Sequence, residues 1–190
     1  MPKSLPEQLL TQGDFLKLTL AHPDSLEPFQ FDLPDHTCVS VWDTGVICFE
    51  PEQPGSKDIV LSCGVHGNET APIEICAELV QELLTGQLAL KQRLLVLFGN
   101  PAAINAGTRE IRENLNRLFS GHHSKGGGLI NSERKRARDL EQYVSRFYQQ
   151  YTVARQRALY DLHTAIRGSR FEKFAVYPFL HGKPWQKQQL

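Results

Sequence analysis

Two apolar rhythms organise this chain. Residues 58–63, centred on Ile59-Val60-Leu61, and the run Arg93-Leu94-Leu95-Val96-Leu97-Phe98-Gly99 are nearly continuous apolar stretches, as in strands buried on both faces. Between them Pro72, Cys76, Leu79, Val80 and Leu83 recur at helical spacing. Pro in the first turn and Gly86 beyond the last suit the two ends of that helix. Thr37–Val41 and Val46–Glu50 alternate around Asp43-Thr44-Gly45, which predicts a β-hairpin. Residues 1–36 are punctuated by Pro and Asp and hold one strand-like run, Phe15–Leu20. Asn100-Pro101 ends the second apolar run, with a short helix after it, and 107–128 is loop-rich, including Gly126-Gly127-Gly128. Ala137, Leu140, Val144, Phe147, Tyr148 and Tyr151 mark one face of a long helix from about Ser132. Arg157–Leu162 and Lys173–Tyr177 read as further strands. Strands alternating with helices predict an α/β sheet covered on both faces, with ligands at the carboxyl ends of the strands.

A length of 190 residues supports one domain with a real core. Lys plus Arg equals Asp plus Glu at 21 each, so net charge argues against a polyanionic partner, and local clusters must carry any anion recognition. Cys38, Cys48, Cys63 and Cys76 form no CxxC pair, and the expectation is reduced cysteines in a cytoplasmic protein. The N-terminus lacks a signal-peptide h-region, and no stretch approaches the roughly 20 apolar residues of a membrane span. Neither nucleic acid nor membrane is expected as a partner.

The chemistry concentrates at the ends of two strands. Ser62–Thr70 carries His66 and Glu69, and Asp161-Leu162-His163-Thr164 carries a second His. Two imidazoles and a carboxylate form the three-ligand set of a catalytic zinc, which keeps a further position open. Singly, His66 or His163 reads as an ordinary surface or hydrogen-bonded residue, and Glu69 as a helix N-terminal acid. Together, with Gly67 permitting close backbone approach, they favour one Zn2+ site per chain. Thr108-Arg109 and Asn114-Leu115-Asn116-Arg117 suit carboxylate recognition through guanidinium forks, although alone they read as a solvated basic loop. Arg167 follows His163 closely, with a surface ion pair as its plainer reading. The run Arg134-Lys135-Arg136-Ala137-Arg138 is interleaved with acids and lacks stacking aromatics, so it reads as a solvated helix face. His122-His123 reads as a loop pair.

Five ordered motifs resemble the succinylglutamate desuccinylase/aspartoacylase family, relatives of the zinc carboxypeptidases. They are Gly-Val-His-Gly-Asn-Glu-Thr-Ala-Pro at 64–72, Gly-Asn-Pro at 99–101, Thr-Arg at 108–109, Asn-Leu-Asn-Arg-Leu-Phe at 114–119 and Asp-Leu-His-Thr-Ala-Ile-Arg-Gly-Ser at 161–169. The last is similar to the desuccinylase branch. The resemblance implies a zinc carboxypeptidase-like mixed β-sheet flanked by helices. It implies His66, Glu69 and His163 as zinc ligands, Arg109 as the oxyanion-stabilising arginine, and Asn116 with Arg117 as the grip on a substrate carboxylate. The implied reaction is hydrolysis of N-succinyl-L-glutamate to succinate and L-glutamate, closing a succinyl route of arginine degradation. That substrate bears three carboxylates, so Arg167 is assigned to a further one. Another N-acyl amino acid, as for an aspartoacylase, or a non-catalytic zinc-binding module are the alternatives.

Two departures from the family pattern carry expectations of their own. The family's general-base Glu lies in a later Glu-Leu-Gly-like motif that this sequence lacks, and a mostly-β region follows in relatives. The expected organisation is therefore an N-terminal β segment at 1–55, an α/β zinc-hydrolase core at 56–180, and the start of a truncated region at 181–190. Such a chain should be nearly inactive alone. Asn114 also stands where relatives often have Asp, and Asp161 is the candidate for an equivalent carboxylate beside a metal-bound His.

Overall fold

A computed structural model describes residues 4–151, 154–165 and 176. Two short helices come first, α1 (Leu5–Gln12) and α2 (Phe15–Ala21). Ser4 and Glu7 form a reciprocal capping box on α1, and Gly13 closes it in a left-handed conformation. Asp14 then caps α2 by accepting the Lys17 N–H, and the helix buries Phe15 and Thr19, four residues apart on one face. The strand expected over Phe15–Leu20 is thus a helix. A six-residue apolar run fits either period, and the capping residues on both sides of Gly13 decide it. The segment 1–55 opens helical, and its strands come afterwards.

Those strands are β1 (Phe29–Asp32), β2 (Cys38–Asp43) and β3 (Val46–Glu50), joined to β4 (Lys57–Cys63), β5 (Arg93–Phe98) and β6 (Gln156–Asp161) in the order β1-β2-β3-β5-β4-β6. The predicted hairpin is β2 and β3, turning at Gly45, whose φ of 65° is open to glycine without strain. A β-carbon there would also lie 2.7 Å from the Phe98 carbonyl oxygen. The β1–β2–β3–β5 pairs are antiparallel, whereas β4 runs parallel to both β5 and β6. Helix α3 (Thr70–Leu84) is the crossover from β4 to β5.

The mixed sheet is covered on both faces, as the periodicity predicts. One face buries Leu9, Phe15, Cys76, Val80 and Leu83 from the first three helices against β-strand residues including Val39, Ile47, Phe49 and Val96. The other buries Ala137, Leu140 and Phe147 of α5 (Ser132–Gln149) against Val46, Cys48, Val60, Leu95 and Leu97. All four cysteines are free, and three are buried. The strand expected at 173–177 and the region 181–190 lie outside the described residues.

Parallel β4 and β6, with β5 beside β4, place their carboxyl ends side by side. The β5 end is fixed by a long-range contact. Arg136 of α5 donates to the carbonyls of Gly99 at 2.9 Å, Phe98 at 3.0 Å and Thr44 at 2.8 Å, and pairs with Asp43 at 3.4 Å. Gly99 and Asn100 N–H in turn donate to Cys63 and Gly64 carbonyls at 2.7 and 2.9 Å, which ties that end to the start of the His66 loop. Arg136→Met strands these acceptors. It should lower the unfolding free energy by about 3 kcal/mol, in the range of a lost hydrogen bond to a charged group. Urea titration checks this, and an unchanged midpoint contradicts the staple.

Candidate metal centre

Gly64 to Asn68 is the turn from β4 into α3, and it turns tightly against α4 (Pro101–Ala106). A β-carbon on Gly67 would lie 2.1 Å from the Ala103 backbone carbon, so only glycine fits there. His66 precedes this close approach and is buried, with Glu69 at the N-cap of α3. His163 arrives from β6, whose register with β4 continues through the Leu162 N–H to Ser62 carbonyl bond of 2.8 Å. The two imidazole centroids are 5.0 Å apart. His66 and Glu69 are buried, and 28 % of the His163 side chain is exposed.

Glu69 joins the two rings. Its Oε1 is 2.8 Å from His66 Nδ1, and its Oε2 is 2.9 Å from His163 Nδ1. The Thr164 N–H donates to the same Oε2 at 3.0 Å, and Arg109 Nη1 meets Oε1 at 3.1 Å. Burial pushes the Glu69 carboxyl up, but the Thr164 N–H and the two imidazoles outweigh it and hold the group below its usual range. The Asp161 carboxylate, 2.9 Å from Nε2, raises the His163 pKa against the effect of burial.

The far side of each ring fixes its orientation. Asn114 Oδ1 lies 3.1 Å from His66 Nε2 and also accepts the Asn116 N–H at 3.0 Å. That backbone donor identifies the atom as the carbonyl oxygen, so His66 Nε2 carries the proton. Asp161 likewise requires a proton on His163 Nε2. Both Nδ1 atoms therefore face carboxylate oxygens, an arrangement that a cation completes. Among the described residues His66, Glu69 and His163 form the cluster able to hold a metal, with one ligand atom from each within 4.8 Å of the others. Two imidazole nitrogens and a carboxylate oxygen, with outer partners on both imidazoles, are the donor chemistry zinc accepts.

The remaining sequence candidates fall into place unevenly. Arg109 is at the centre, its side chain 32 % exposed. Asn116 and Arg117 lie in a 3-10 turn, Leu115–Arg117, capped by Asn114. Arg117 is exposed, and its Nη1 donates to the Asn116 carbonyl at 3.4 Å. Arg167 lies outside the described residues. Asp161 serves His163, while the His66 partner is the neutral Asn114. His123 is a loop anchor, 3.3 Å from Glu141. The run at 134–138 is not simply a solvated face: Arg134 forks onto Glu113 at 2.7 and 2.8 Å, and Arg136 is the β5 staple.

Residues 55–189 match the succinylglutamate desuccinylase/aspartoacylase catalytic domain. The chain is 60 % identical over 185 residues to a succinylglutamate desuccinylase of Shewanella piezotolerans, covering 96 % of this chain and 54 % of that protein. A protein of the same name from Shewanella sp. (strain W3-18-1) is 59 % identical, with 97 % and 54 % covered. The chain thus spans about half the length of the curated relatives it matches. The crystal structure of the succinylglutamate desuccinylase from Chromobacterium violaceum superposes with a TM-score of 0.80 at 41 % identity, covering 93 % of this chain and 53 % of that one. The corresponding protein of Vibrio parahaemolyticus gives 0.72 at 34 % identity, over 82 % and 52 %.

The Glu113–Arg134 fork supports the loop that carries Arg109 and Asn114. It holds the Glu113 carboxyl down at about 2. A depressed folded-state pKa contributes stability above the unfolded value of about 4.3. That contribution disappears as pH falls towards 2. Partial exposure keeps it below ~1 kcal/mol. Glu113→Gln should therefore lower the urea midpoint slightly at pH 7 and not at pH 2. A pH-independent difference contradicts this.

Proposed function

The chain belongs to the succinylglutamate desuccinylase/aspartoacylase family, and from that premise we propose that it carries the metal-binding part of a zinc-dependent hydrolase that splits N-succinyl-L-glutamate into succinate and L-glutamate. The observation that carries the reading is the pair of Nδ1 atoms facing one buried carboxylate, with both Nε2 atoms engaged elsewhere. His66, Glu69 and His163 would hold one Zn2+, which would supply Lewis acidity for an amide carbonyl and for water near neutral pH.

The protein's own groups do the rest. Arg109 stands beside Glu69 with its side chain partly exposed, and we assign it to donate to the oxygen that gains charge at the amide. Such a preorganised donor lowers the barrier by roughly 3–4 kcal/mol. Asn116 and Arg117 grip a substrate carboxylate, and Arg167 takes a second; both assignments follow from the family motif and the charge of the substrate. Among the described residues the carboxylates at the site, Glu69 and Asp161, are committed to the two imidazoles. The family's base glutamate sits in a Glu-Leu-Gly-like motif that these 190 residues lack, so we assign the base to neither carboxylate and expect the 190-residue chain alone to be nearly inactive. Free cysteines fit a cytoplasmic setting for a succinyl route of arginine degradation. Among the described residues no helix is long and apolar enough to cross a membrane.

The test is product analysis with a protein of the relatives' full length, beside the 190-residue chain and an Arg109→Ala variant. Succinate release from N-succinyl-L-glutamate, abolished by a zinc chelator, is expected. Arg109→Ala should lower kcat by about 10²–10³-fold. Acetate release from N-acetyl-L-aspartate in its place would favour aspartoacylase chemistry, and zinc uptake without turnover a binding module. Robust turnover by the short chain contradicts the assignment of the base.

A further inference from the structure

Two groups of the metal centre come from one loop. Arg109 and Asn114 both lie between α4 and the 3-10 turn at 115–117, in a stretch without a regular helix or strand. Backbone pairing of the sheet therefore does not fix their positions. At one end the Gly67 N–H reaches the Arg109 carbonyl at 3.4 Å, a long bond. The stronger anchor lies between the two side chains.

Glu133, in the first turn of α5, is only 1 % exposed. Its Oε1 accepts two consecutive backbone donors, Ile111 N–H at 2.8 Å and Arg112 N–H at 3.0 Å, and its Oε2 accepts the Ser132 hydroxyl at 3.1 Å. Ile111 lies two residues after Arg109, and Arg112 two residues before Asn114. Among the described residues no guanidinium or ammonium pairs with Glu133, and a buried acid given over to backbone N–H groups is an uncommon use of a charge. Burial opposes its ionisation, and the Arg112 and Ile111 N–H groups outweigh that effect. Its neighbour Arg134 braces the same loop from outside through Glu113.

We propose that Glu133 is a positioning residue for the metal centre. By indexing Ile111 and Arg112 on the N-terminus of α5, it sets Asn114 Oδ1 against His66 Nε2 and Arg109 against Glu69. It touches neither metal nor substrate and acts through those two residues. The inference rests on the metal-centre reading above, so its test must separate the two.

The experiment compares the wild-type chain with Glu133→Gln, Glu133→Asp and Glu133→Ala. Imidazole 15N shifts report the His66 Nε2–H form without metal, backbone amide exchange reports Ile111 and Arg112, and chelator competition reports zinc affinity. Glutamine keeps an oxygen able to accept both N–H groups, so it should match the wild type in all three. Aspartate keeps the charge but is one methylene too short. It and alanine should lose the Ile111 and Arg112 protection, leave the His66 tautomers mixed, and bind zinc about 10-fold more weakly, as outer partners of metal ligands do. If alanine prevents folding, aspartate decides the matter by the same measurements. A folded Asp or Ala variant with the native His66 signal and unchanged zinc affinity overturns the proposal. If the wild type takes up no zinc, the metal reading fails, while the tautomer and exchange data still decide the role of Glu133.

Discussion

The structure turns on one negative charge. Glu69 sits at the N-cap of α3, buried, with His66, His163, Arg109 and the Thr164 N–H all directed at its two oxygens. An isolated buried carboxylate is strongly disfavoured, and such a group persists only when paired and hydrogen-bonded. Here the four partners come from three places in the chain: the β4–α3 turn, the loop after α4, and the end of β6, which supplies both His163 and the Thr164 N–H. Bringing them together is the task the fold performs.

The means are ordinary α/β geometry with local adjustments. Parallel β4 and β6 deliver one imidazole each at their carboxyl ends, and the β4–α3–β5 crossover puts Glu69 at a helix start, where the macrodipole favours an anion. Gly67 permits an approach to α4 that any side chain would block. Beyond these three residues, Asn114 and Asp161 fix which nitrogen of each ring carries the proton, leaving both Nδ1 atoms facing Glu69. The two partners differ in charge, and the Asp161 carboxylate raises the His163 pKa.

Much of this was legible in the sequence, for identifiable reasons. The apolar runs in β4 and β5 and the 3.6-residue spacing in α3 and α5 are long enough to fix their period, and His66 and His163 follow strands directly. Phe15–Leu20 was too short a run, and its helix depends on Asp14 and Gly13 outside it. The basic run at 134–138 read as solvated because its partners are remote: Glu113 lies 21 residues from Arg134, and Asp43 lies 93 from Arg136. Glu133 gave only the signal of a first-turn acid, and its burial depends on how the loop at 109–117 folds back onto α5. Composition and periodicity carry no record of such long-range pairings.

Metal stoichiometry shows whether His66, Glu69 and His163 converge on a single zinc ion. Elemental analysis of the purified chain, beside His163→Ala and Glu69→Ala, should find one zinc per folded chain and essentially none in either variant. A folded chain that takes up no zinc, or variants that retain it in full, would contradict the account.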